Sequence, residues 1–343
     1  MERNILKNTG FVKTILMLLV MLDHACAFWT GNWFQGEPAN PSEFLGAVSD
    51  WLGSFLVFSF ALVSGYLFAY KVRKGDYASY IPFLQNKAKR LLIPYLCTML
   101  VWVVPVSQYF FHWDIGYLFR KYILCIDPSQ LWFLWMLFGV FALVWPLRQV
   151  FLNKPKIGWV MAMGFFCLGV AGKKVLPNIF CIWTACEYVP FFFLGMRIRC
   201  REEDGQSAPV KPETWYIWVI PDVLLFAAVR YLDRKSGMLW TAASVGMTFL
   251  LHAVGAIMAF TVLHAIAKRI PWQKSKSFRA LLSYSMPMYL FHQQIIYFTL
   301  LWLNGKLSPW LHAGVNFLMA AVVSLIISAL LMRWKVTRTL IGE

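Results

Sequence analysis

The chain has 343 residues, 59% of them hydrophobic, and the apolar residues fall in blocks long enough to cross a bilayer rather than in the short periodic runs of a soluble core. A soluble globular fold is excluded on that ground, and the 17 Trp and 14 Tyr suit interfacial aromatic belts. The formal charge of +16 would suggest nucleic acid in a soluble protein, but here the basic residues sit in short gaps between apolar blocks, so they read as topology signals and no nucleic-acid partner is expected.

The first apolar run, Val12 to Trp29, is interrupted by Asp23-His24 and lacks a small-residue cleavage site, so it reads as a retained helix and not a signal peptide. At roughly 20 apolar residues per crossing, helices are predicted near residues 12–31, 49–70, 90–111, 130–147, 157–172, 178–197, 214–231, 239–267, 280–302 and 309–332. The basic residues check the count. With the N-terminus inside, Arg3, Lys7, Lys13, the groups around Lys71–Arg90, Arg148–Lys156, Arg197–Lys211, Lys268–Arg279 and Arg333–Arg338 hold 24 of the 32 Lys and Arg on one side, against eight on the other. Both termini are therefore expected in the cytoplasm. The first outside loop, Gly31 to Asp50, carries Glu37, Glu43 and Asp50 and no Lys or Arg. All loops are short, with no appended soluble domain, low-complexity tract or clear repeat. The sequence thus predicts an all-α fold, a single membrane-embedded domain over residues 1–343 of about ten transmembrane helices. The seven cysteines (Cys26, Cys97, Cys125, Cys167, Cys181, Cys186, Cys200) lie in or beside apolar blocks without metal-type clustering, so neither a disulfide nor a metal is assigned.

Ionisable groups deep in a membrane cost several kcal/mol on insertion scales and mark functional candidates. In the first helix, Lys13 precedes His24 by eleven residues, which advance a helix by about 16 Å and return to within roughly 20° of the same direction. A cation at the cytoplasmic entrance therefore shares a face with a histidine near the midplane. That suits an anionic donor entering from inside whose reactive end reaches a buried base; the alternative is a histidine bonded between helices for packing. In the ninth helix Ser285, Tyr289 and His292 fall on one stripe, beside Pro287, with His292 at a depth close to that of His24. Two histidines at one depth suggest a shared cavity; for His292 alone, interhelical hydrogen bonding without chemistry is the alternative reading. Glu187, near the middle of the sixth helix, is a candidate to orient a histidine or accept from a hydroxyl; Asp222 and His252 rank lower, because a mutual structural pair would explain them equally well. Lys87 and Arg90 are three apart before the third helix and could grip phosphate, or simply anchor the chain at the inner surface. Ser64-Gly65-Tyr66 permits close helix packing.

Taken together, these pieces resemble the acyltransferase-3 family of multi-pass membrane acyltransferases over essentially the whole chain. The basic residue, ten intervening residues and histidine of its first helix are matched by Lys13 to His24; its SGY or SGF by Ser64-Gly65-Tyr66; and its paired basic residues leading to a proline by Lys87, Arg90 and Pro94. Its LWFL is matched by Leu131-Trp132-Phe133-Leu134, and its late Tyr-Leu-x-His by Tyr289-Leu290-Phe291-His292. Lysine stands at 13 and 87 where arginine is typical, which keeps the charge and loses bidentate geometry.

The resemblance implies an acyl-CoA donor, usually acetyl-CoA, used as co-substrate from the cytoplasmic side without a metal. It implies acceptors such as cell-surface glycans, peptidoglycan, lipids or small hydroxylated molecules, and a multi-pass location in the cell membrane, taken here as a bacterial plasma membrane. It also implies His24 as the catalytic histidine and Lys13, Lys87 and Arg90 as phosphate contacts; Ser64 and Tyr66 join them as donor-binding candidates. The predicted mechanism has His24 take the proton of an acceptor hydroxyl, with Asp23 or Glu187 stabilising the imidazolium, or has His24 itself carry the acyl group. His292, Tyr289, Ser285, Trp132 and Gln130 are the candidate acceptor contacts. A transporter or flippase for a lipid-linked sugar is the rival reading, although the sequence shows no matched halves.

Overall fold

The computed structural model describes residues 2–31, 33–34, 36–205 and 216–342, leaving out the side chains of 2–7 and 242. Lys211 and the side chains of Arg3 and Lys7, counted above among the basic residues, lie outside the described residues, as do positions 214 and 215 of the seventh predicted helix. Among the described residues the fold is all-α.

The elements run α1 (Glu2–Cys26), α2 (Glu43–Gly53), α3 (Leu56–Arg73), α4 (Tyr80–Thr98), α5 (Val104–Phe111), α6 (Ile115–Leu118), α7 (Trp132–Asn153), α8 (Pro155–Val175), α9 (Ile182–Glu203), α10 (Tyr216–Leu232), α11 (Met238–Arg269), α12 (Lys276–Leu303), α13 (Pro309–Leu331) and α14 (Lys335–Leu340). Each of the ten predicted helices has a counterpart. Among the described residues, eight continuous helical segments are long and apolar enough to span a membrane. The remaining two are α10, which has 17 residues, and α12, whose middle carries the polar run His292-Gln293-Gln294. That run lowers the hydropathy of α12, yet its side chains are kept inside the protein: His292 and Gln294 are fully buried and Gln293 nearly so.

Two helices begin earlier than the apolar blocks suggest. The second starts at Glu43, where the Ser42 side chain caps it by accepting from Leu45 N–H, and it breaks at Ser54-Phe55 before α3 continues. The third starts at Tyr80, because the segment before residue 90 mixes apolar and polar residues at helical spacing and so continues the helix without adding to the apolar block. It is joined to α5 by a π-helical stretch, Met99–Val103, in which Val104 N–H reaches back five residues to the Met99 carbonyl just before Pro105.

Packing is closest between α3 and α9. A Cβ on Gly65 would lie 1.8 Å from the Phe192 carbonyl oxygen, and one on Gly195 would lie 1.9 Å from that of Leu62, so only glycine allows these two backbones to touch. The helix-packing role expected of the SGY segment is carried by its glycine. Around this contact the buried side chains of Phe68, Phe141, Phe191, Phe192 and Phe193 join α3, α7 and α9 into one core. A second core joins α1 and α3 to α11 through Leu16, Leu56, Leu62 and Phe260. The first helix packs against α2, α3, α11, α12 and α13, so it is held on several sides and its polar residues face other helices.

Candidate active site

Where α1, α3, α4, α7 and α12 meet, they enclose a cavity of about 290 Å³. Lys13, Lys87 and Arg90 line it together with Gly342; along its length come Met17, Val20, Phe60 and Ser64; and His24, Gln130, Trp132, Ser285 and Tyr289 line it as well. The helical rise from Lys13 to His24, about 16 Å, makes this an elongated chamber with cations toward one end and an imidazole toward the other.

Among the described residues no acidic side chain pairs with Lys13, Lys87 or Arg90. Lys13 lies within electrostatic reach of both Arg90 and Lys87, so three basic residues converge on one cavity without a counter-ion among the described residues. The Lys87 ammonium is held by aromatic faces: it sits 4.0 Å from the ring centre of Phe141, 5.2 Å from Tyr77 and 5.4 Å from Phe83, and donates to the Tyr77 hydroxyl at 3.4 Å. Gly342, at φ +89°, packs against Pro94 and the Arg90 carbonyl, and a Cβ there would come within 2.9 Å of Pro94. The last described residue therefore forms part of the wall beside Arg90.

At the histidine the geometry is specific. His24 Nδ1 lies 2.8 Å from His292 Nε2, and His292 Nδ1 lies 2.7 Å from the Tyr289 carbonyl. The ring planes are 12° apart with centroids at 4.9 Å; since 2.8 Å is closer than stacked rings approach, the two imidazoles meet edge to edge. Both turns are pinned from outside. The Tyr289 hydroxyl donates to the Gln130 carbonyl, while Gln130 Nε2 donates to the Leu290 carbonyl at 3.2 Å and to Gln294 Oε1 at 2.7 Å, clamping α12 to the start of α7. On α1, Asn316 Nδ2 donates to the Ala25 carbonyl, and the Thr299 hydroxyl donates to Asn316 Oδ1. Trp33 packs against His24 with ring centroids 5.5 Å apart.

Four expected site residues do not line the cavity. Asp23 accepts from the Ser49 hydroxyl at 2.6 Å, because its position, one residue before His24 on a helix, points it toward α2. Glu187 pairs with Lys173 at 2.5 Å and packs over Gly169 on the α8 side of α9. Neither is the partner of His24; His292 takes that place, behind the cavity wall instead of at the acceptor end. Tyr66 is turned away from Ser64 on α3, and its hydroxyl donates to Glu202 at 2.5 Å within an ion network. Asp222 and His252 do not pair with each other: Asp222 accepts from Trp51 Nε1 and His252 bonds the Ser54 carbonyl, so both fasten outer helices to the α2–α3 break. Gln294, Asn316 and Trp33 were missed. Gln294 could have been found as a further polar residue two places after His292; nothing local marks Asn316, which reaches α1 only in three dimensions.

Among the described residues, no group of three or more His, Cys, Asp or Glu is arranged to hold a metal. Among the described residues the chain is a polytopic helix bundle in which His24 and three basic residues share one cavity. The chain belongs to the acyltransferase-3 family: the model of that family's acyltransferase domain matches residues 10–333, nearly the whole chain. No curated protein and no solved structure matches it. The protein is thus a multi-pass membrane acyltransferase.

Proposed function

We propose that the protein moves an acetyl or other acyl group from acyl-CoA, entering from the cytoplasm, to a hydroxyl of a glycan, cell-envelope or small-molecule acceptor in a bacterial plasma membrane. The observation that carries this reading is the chamber shared by His24 and three cations that have no acidic partner among the described residues. Phosphates of the donor would be held by Lys13, Lys87 and Arg90, Arg90 offering a planar fork and the two lysines point charges. The largely apolar stretch past Met17, Val20 and Phe60 would accommodate the neutral arm that carries the thioester toward His24. Ser64 faces that arm; Tyr66, in its ion network, takes no part.

In the reaction, His24 removes the proton as the acceptor oxygen attacks the thioester carbonyl. The new C–O bond forms, the C–S bond breaks, and the thiolate leaves as CoA thiol with the proton that His24 carried. Trp132, Gln130, Tyr289 and Ser285 surround the space left for the acceptor. The test is acyl transfer and free-thiol release by purified protein reconstituted in bilayers with acetyl-CoA. His24→Ala is expected to lower turnover at least about 100-fold while the protein still inserts and elutes as a folded species. Retained turnover in that variant would remove His24 from the chemistry.

A further inference from the structure

The hydrogen bonds around the two histidines define where their protons lie. A carbonyl oxygen can only accept, so the 2.7 Å contact between His292 Nδ1 and the Tyr289 carbonyl places a proton on Nδ1. His292 is fully buried, and among the described residues no acidic side chain pairs with it, so a second proton would leave an uncompensated cation in the bundle interior. A neutral imidazole with its proton on Nδ1 presents a lone pair at Nε2. That lone pair faces His24 Nδ1 at 2.8 Å, and a hydrogen bond there requires the proton of His24 to sit on Nδ1. What remains on His24 is an unprotonated Nε2, which has no protein partner among the described residues, on a side chain that lines the cavity.

We infer that His292 is a positioning residue: as a hydrogen-bond acceptor it locks His24 in the Nδ1–H tautomer and makes Nε2 the atom that reacts. An acceptor behind a catalytic imidazole is usually a carboxylate, and the wrong tautomer there costs turnover without disturbing binding. Here the role falls to a second histidine, oriented in its turn by a helix carbonyl, so no full negative charge has to be placed in the membrane interior. When Nε2 takes the acceptor's proton, the imidazolium of His24 still donates from Nδ1 to His292, and charge spreads over two rings. The clamps by Gln130 and Gln294 on α12 and by Asn316 on α1 keep the two nitrogens in line. This inference rests on the reading of His24 as the base.

The test joins spectroscopy with kinetics. In protein carrying ¹⁵N-ring-labelled histidine, the His24 signals, assigned by their loss in His24→Ala, should show a protonated Nδ1 and an unprotonated Nε2. His292→Leu should lower kcat about 100-fold with donor KM within about threefold of the parent, and His292→Gln, whose amide oxygen can replace the lost acceptor, should recover most of that loss. A His24 protonated at Nε2 in the unmodified protein, or unchanged kcat in His292→Leu, would overturn the inference. The spectrum of the unmodified protein decides the matter even where a variant fails to fold. Active His24→Ala would sink the base reading itself; inactive His24→Ala with the opposite tautomer would sink only the role given to His292.

Discussion

Two basic clusters lie close together along α3, and they differ in whether the protein neutralises them. Beside Tyr66, Arg199 is bound to Glu202 at 3.4 Å and to Glu203 at 2.5 Å, and Arg73 to Glu203 and Asp204 at 3.1 and 2.9 Å. Beside Ser64, on the other face of the same helix, Lys13, Lys87 and Arg90 line a cavity to which no carboxylate contributes among the described residues. On the proposed reading, the charges left unpaired among the described residues await an anionic donor, whereas charges matched by neighbouring carboxylates hold helices together. Docking is thus proposed for one cluster and a staple's role for the other, even though both appear in the sequence as basic residues near the ends of apolar blocks.

Substitutions sharpen that contrast. The largest effect is expected from Arg90→Glu, which turns the unpaired cluster partly against an anionic donor: donor KM should rise by about 100-fold or more, and the thermal transition should stay within a few degrees of the parent. The staple should behave in the opposite way. Arg199→Ala removes the buried cation shared by Glu202 and Glu203, which keep Tyr66 and Arg73 as partners, and a loss of about 1–2 kcal/mol is expected, read as a lower Tm in detergent, with donor KM unchanged. An unaltered Tm in Arg199→Ala together with a large rise in donor KM would show that the two clusters had been assigned the wrong way round.

The fold was legible because lipid imposes its own length on apolar segments, so the ten blocks marked ten helices. What escaped was set by features that hydropathy averages away: the Ser42 cap that starts α2 at Glu43, and the amphipathic turns that start α4 at Tyr80. In the site, the eleven-residue spacing placed Lys13 and His24 on one face, and the structure finds both on one cavity. Depth alone could suggest that His24 and His292 were neighbours; it could not say that they touch edge to edge. The partners first assigned to His24 illustrate the limit. Asp23 is next to it in sequence and therefore about 100° away around the helix, bonded to Ser49, and Glu187 has the right depth on a helix whose facing side is taken by Lys173. Depth and adjacency are one-dimensional measures, and contact is decided by rotation about each helix axis.

The most direct measurement is a structure of the protein with a thioether analogue of acetyl-CoA, in which the reactive carbonyl is kept but the C–S bond cannot break in the normal way. The phosphates are expected within hydrogen-bond distance of Lys13, Lys87 and Arg90, with the acyl carbon beside His24 Nε2. An analogue bound outside the cavity, or a His24 ring facing lipid and closed off from the acyl group, would contradict the account.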